Sequence, residues 1–144
     1  MASLEQCISN LKTLKEQLPK IAANEMVNYA LDNIKAGTDI NGRQFKPRKA
    51  GTKRNAGRAI LVDTGDGRRS LRGVADSRGA HLEGIDYMIY NNEGVNETVS
   101  KRSRKGKEFQ AHMNLPQRQY SGKSPEQTSR IENIIATKIV QALT

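Results

Sequence analysis

Leu4, Ile8, Leu11, Leu14 and Leu18 recur at spacings of three or four residues, with polar residues filling most positions between them. That spacing lays one apolar stripe along a helix. Ser3 stands where an N-cap belongs, and Gln6 completes a capping box. Pro19 interrupts the pattern. A proline costs a helix interior about 3 kcal/mol, so the sequence predicts a kink or a break there. A second helical stretch follows from Lys20 to Ala36, with Ile21, Val27, Leu31 and Ile34 on its buried face and Gly37 placed as a C-terminal cap.

The periodicity then stops. Residues 37–59 form a turn-rich basic loop, in which Asn41-Gly42 is a turn and Phe45 is the one large apolar anchor. From Lys46 to Arg58 there is almost nothing apolar to bury, the composition of a mobile segment. Residues 60–122 read as a sheet region. Leu71–Asp76 and His81–Asp86 predict paired strands with a turn at Ser77–Ala80. Asp86–Tyr90 is a short apolar run closed by a turn at Asn91–Gly94. The tract SKRSRKGK, Ser100–Lys107, has no core residue, and residues 100–108 are expected to be a flexible loop or an arm that orders on binding. A short strand broken by Pro116 lies within Gln110–Tyr120. Ser124-Pro125-Glu126-Gln127 opens a helix over 124–143, whose apolar face is Ile131, Ile134, Ile135, Ile139 and Leu143. The order predicts a single α+β domain: N-terminal helices over 1–36, a small antiparallel β-sheet with long basic loops, and a C-terminal helix.

Charge adds a division that periodicity does not show. The chain carries a net +9. Residues 37–80 hold eleven Lys/Arg against four Asp/Glu, residues 81–99 hold four acids and no base, and residues 100–130 hold eight bases against two acids. Two basic segments flanking an acidic one fit either nucleic-acid binding or contacts between copies in which basic meets acidic. A solvated basic surface is the plainer alternative. No apolar run approaches the roughly 20 residues of a membrane span, and no secretory leader is expected. Cys7 is the only cysteine, which excludes an internal disulfide, fits cytosolic folding and reads as a small core-facing residue.

The stretch ILVDTGDGRRSL, Ile60–Leu71, raises a catalytic possibility, because an apolar run into Asp63-Thr64-Gly65 is how an aspartic protease strand begins. Such an enzyme needs two carboxylates sharing a proton, so this chain would have to act as a homodimer through Asp63. Asp66 directly after the motif adds charge where charge is already repelled. Both ends of the chain read as helices, whereas that fold is nearly all β. No later apolar strand ends in a glycine able to support the active-site loop. His81 and His112 lack metal-ligand spacing, and Gly65-Asp66-Gly67 lacks the spacing of a phosphate loop. The residues therefore point to no metal or cofactor and show no assembled Ser/His/Asp set, although such a set is spatial and sequence alone does not exclude it.

Four segments in order resemble the phage virion morphogenesis (tail completion, or neck) family of Mu-like prophages. Asn33–Lys46 resembles its helix end followed by Gly-x-Asp-x-x-Gly and an aromatic, here Phe45 where Trp is usual. Ile60–Leu71 resembles I-L-x-x-T-G-x-L-x-x-S, Gly84–Gly94 resembles G-x-x-Y-A-x-x-H-N-x-G, and Leu115–Gly122 resembles P-x-R-x-F-x-G. There are departures: Gly67 stands for a large apolar residue, Met88 for Ala, and Asn91 for His. The resemblance implies a non-enzymatic structural protein of the virion, made in the bacterial host cytoplasm and acting in tail completion or head–tail joining. It implies a homo-oligomeric ring beside other virion proteins (head connector, tail tube or tail terminator), possible nonspecific DNA contact in a channel, and no membrane. A nonspecific nucleic-acid-binding accessory protein is the first alternative, and a homodimeric aspartic protease through Asp63 the second and less favoured one. Under the first reading Gly65, Gly94 and Gly122 hold turns, and Phe45, Tyr87 and Tyr120 anchor loops to the core. Arg68, Arg69, Lys101, Arg102, Arg104, Lys105 and Arg118 are the candidates for subunit or DNA contact.

Overall fold

The computed structural model describes residues 2–47, 57, 59–62 and 64–144. Most of the expected basic loop, and the candidate protease carboxylate Asp63, lie outside the described residues.

One helix, α1, runs without interruption over Leu4–Ala36. The Ser3 hydroxyl accepts from the Gln6 amide at 3.2 Å, and Gly37 closes the helix at φ 73°. Of the kink or break expected at Pro19, the break does not occur, and the reason lies at the other end of the sequence. Helix α4, Pro125–Leu143, lies antiparallel along α1 and holds it on both sides of the proline. On one side, Arg130 bonds Glu25 at 2.7 Å and Asp32 at 2.8 Å, and its guanidinium lies 5.5 Å from the centre of the Tyr29 ring. On the other, Asn10 Nδ2 donates to the Ala142 carbonyl at 3.2 Å and the Cys7 thiol donates to that of Leu143 at 3.7 Å. A proline removes only one N–H, and α4 acts as a splint across the gap. The stripe itself is less buried than its spacing implies: Leu14 is buried, while Leu4, Ile8 and Leu11 are exposed.

A short helix α2, Asp66–Ser70, leads into the hairpin of β1, Arg72–Asp76, and β2, Gly79–Glu83. The strands pair antiparallel from Arg72↔Glu83 to Asp76↔Gly79, with Ser77-Arg78 as the turn. This hairpin lies against α1. The approach is closest at Gly73, where a Cβ would sit 2.2 Å from the Ala23 carbonyl oxygen, so only glycine fits.

Asp86–Glu93 is a helix, α3, and not a short apolar run ending in a turn. Accordingly β2 stops at Glu83, short of Asp86. Strands β3, Val95–Arg102, and β4, Glu108–Leu115, then form a second antiparallel hairpin, with Pro116 immediately after it. The predicted loop over 100–108 is therefore strand at both ends, and only Ser103–Lys107 turns. The result is an α+β fold with two separate two-stranded sheets. Among the described residues its small core cluster is Ala30, Ile34, Phe45, Leu61, Leu71, Met88 and Tyr120. No helix among the described residues is long and apolar enough to cross a membrane.

Candidate functional site

The segments Asn33–Lys46, Ile60–Leu71 and Gly84–Gly94, distant in sequence, meet Leu115–Gly122 around Arg118 and Tyr120. From the first segment, Asn33 Nδ2 donates to the Tyr120 carbonyl at 3.0 Å, and the Ile40 amide donates to the Gln119 carbonyl at 3.0 Å. From the second, Leu61 and Leu71 enter the core beside Tyr120. From the third, the Met88 carbonyl accepts from the Tyr120 hydroxyl at 2.9 Å, and Asn92 Oδ1 accepts from the Ser121 amide at 3.0 Å. The departures in these segments also meet. A Cβ on Gly67 would lie 2.6 Å from Met88 Sδ, so the methionine thioether fills the space that a side chain at 67 would need.

Arg118 was expected at a subunit contact. It is instead 7% exposed, with Nη1 donating to Asn91 Oδ1 at 3.2 Å and Nε donating to the Lys46 carbonyl at 3.1 Å. Its backbone amide donates to the Asn91 carbonyl at 2.8 Å. Asn91 is itself buried, with Nδ2 donating to the Tyr87 carbonyl at 2.8 Å. A buried guanidinium is retained where backbone and amide oxygens accept its donors. Arg118 is thus an internal clamp joining α3 to the chain at Lys46.

Tyr87 was expected to anchor a loop and is 48% exposed. On α3 the spacing of three places Met88 and Asn91 inward, which turns Tyr87, Ile89 and Tyr90 to solvent. Phe45 and Tyr120 are buried. Gly65 caps α2 at φ 87° and Gly94 closes α3 at φ 77°, both left-handed values that favour glycine. Gly122 lies in the bend before α4.

Burial pushes the Tyr120 phenol up to about 12, and the nearby Glu93 carboxylate adds to the shift. The fold therefore favours the neutral phenol. Its contribution to stability is complete below the ordinary 10.0 and is lost as pH rises from there through about 12. An ultraviolet phenolate titration should show a late step near pH 12, and Tyr120→Phe should remove it.

The remaining basic candidates are at the surface. Arg68 and Arg69 lie on α2, where Arg69 pairs with Asp66. The Thr64 hydroxyl, then Arg69, holds the Asp66 carboxyl below its ordinary range. Lys101, Arg102, Arg104 and Lys105 cluster at the end of the β3–β4 hairpin, all exposed, with Arg102 paired to Glu108 at 2.8 Å. Among the described residues this hairpin packs on itself and makes no extensive contact with another helix or strand. It is an arm. At about 3.4 Å per residue, its eight-residue strands are roughly 25 Å long.

The arm has two unlike faces. The register pairs Val95↔Leu115, Glu97↔Met113, Val99↔Ala111 and Lys101↔Phe109 on one side. On the other it pairs Asn96↔Asn114, Thr98↔His112, Ser100↔Gln110 and Arg102↔Glu108, all of them polar. Sequence reasoning saw only the basic tract. The alternation in Phe109, Ala111, Met113 and Leu115 was the signal available for the apolar face.

His81 lies 3.8 Å from Asp76 and 3.4 Å from Glu83 on the first hairpin, but no cluster of His, Cys, Asp and Glu suited to a metal ion occurs among the described residues. In comparisons with known proteins, no family profile, no curated protein and no solved structure matches this chain.

Proposed function

We propose that this chain is a structural phage assembly protein of the Mu-like virion morphogenesis kind, acting as a ring of copies in tail completion or head–tail joining. The observation that carries the reading is the pairing of Gly67 with Met88. The family pattern has a large apolar residue at the first position and alanine at the second. Here the large residue has changed sides, and the two positions adjoin. Two departures that compensate in volume are what a shared core would require of a divergent member. Convergence of the four resembling segments on Arg118 and Tyr120 supports the same reading. The protein has no bond-breaking role in this proposal. Its work is done by surfaces: exposed apolar residues on α3 and on the arm, with opposite charge on the two.

Solution mass tests this. Light scattering across protein and salt concentration should give a discrete oligomer of about six or more copies, closed by a heterologous contact between neighbours. A dimer at every concentration would count against the ring.

The basic end of the arm also supports a second role, loose attraction for DNA threading such a ring. Duplex DNA should then bind with a salt slope of about −0.9 per phosphate contacted, and Lys101→Glu with Lys105→Glu should make the slope shallower. An unchanged slope would remove the arm from DNA binding.

A further inference from the structure

We propose that the apolar face of the β3–β4 arm seats in a groove on a second copy of this chain, with Phe109 entering between Leu71, Leu82 and Ile89. The proposal rests on the ring reading and specifies its contact.

The arm itself calls for a partner. A two-stranded hairpin is marginal in water unless its apolar face is covered. Here Val99, Met113 and Phe109 share one face, and Phe109 is 47% exposed. The back of the hairpin is wholly polar, so the apolar side is the one that gains from being covered. The tip lies roughly 25 Å along the strands from the arm's own base.

The groove supplies a complementary seat. It has a volume of about 360 Å³, and Leu71, Leu82 and Ile89 line it with Glu83 and Glu93. Ile89 is 42% exposed although apolar. Glu83 is held by Arg72 at 2.7 Å, but Glu93 has no ion pair among the described residues. Lys101 lies directly opposite Phe109 in the arm's register, on the same face, and has no ion pair among the described residues either. A Phe109 ring in the groove would bring Lys101 to the groove's acidic edge. The arm's end is basic, and the 81–99 segment carrying Ile89 and Glu93 has no base at all. Opposite charge around an apolar centre selects this pairing over arm against arm, where basic would face basic. Groove and arm are different surfaces, so each copy offers one and uses the other, which is the geometry that closes a ring.

Cross-linking between separately labelled copies tests this. In a Cys7→Ser background, Phe109→Cys and Ile89→Cys proteins are prepared apart, mixed and treated with a short bismaleimide. The expected product is a mixed dimer, absent when either protein is treated alone. Phe109→Asp should weaken self-association about tenfold or more, as for an aromatic anchor, with the circular dichroism unchanged because the residue is exposed. Lys101→Glu should weaken it too, and adding Glu93→Lys should restore it. Cross-linking of the Phe109→Cys protein with itself would overturn the proposal in favour of arm pairing with arm. A discrete oligomer that survives Phe109→Asp and gives no mixed product would overturn the groove and leave the ring. A monomer at every concentration, with no cross-link, would overturn both.

Discussion

Met88→Ala is expected to destabilise the protein by about 2–5 kcal/mol, and Gly67→Leu by about 1–3 kcal/mol, while the double variant costs less than their sum. The first leaves a cavity, since Met88 is fully buried in the core. The second forces a side chain to within 2.6 Å of the thioether sulfur. Together the new leucine occupies the volume that the methionine vacates, and Gly67 lies in a helical turn where leucine is an acceptable residue. The coupling should amount to about 0.5–3 kcal/mol in favour of the pair. Urea unfolding of the four proteins, followed by circular dichroism, measures it. Simple additivity would mean that the two positions do not share space, and the proposed kinship would lose its main support.

Arg118→Leu is expected to cost about 3 kcal/mol of stability, with Arg118→Lys little better. The leucine would leave Asn91 Oδ1 and the Lys46 carbonyl without the donors that now satisfy them. Lysine is a point charge and cannot span both acceptors as the planar guanidinium does. The check is a pair of measurements, the unfolding midpoint and the solution mass below it. A variant that unfolds normally but fails to associate would return Arg118 to the surface role that its charge first implied.

Arg118 also shows why parts of the fold were legible in the sequence and others were not. Helix caps depend on residues a few places apart, so Ser3, Gly37 and Ser124 were read correctly from local chemistry. The strand pair around Ser77-Arg78 was legible for the same reason. No break occurs at Pro19, and the sequence around it could not show this, because the helix that bridges it begins more than a hundred residues later. Asp86–Glu93 was misread because a short apolar run fits a strand or a buried helix equally, and only the inward pair Met88 and Asn91 decides. The arm was hidden for a related reason. Its basic residues are contiguous in the sequence, but its apolar face is assembled from two strands and exists only once they pair. An arginine gives no sign of burial until its carbonyl partners are in place.

The splint between α1 and α4 has a consequence for how the chain reaches its native state. Its contacts join Cys7 to Leu143 and Asn10 to Ala142, across 136 and 132 positions of sequence. Everything that forms the body lies between them. Such distant closures come late and slowly, because the intervening chain must already be compact before the ends can meet. Until then, the first turns of α1 have only their own helical bonds and a proline among them. That half of the helix should therefore be the last region to acquire protection against amide exchange during folding, and the first to lose it when the native state opens.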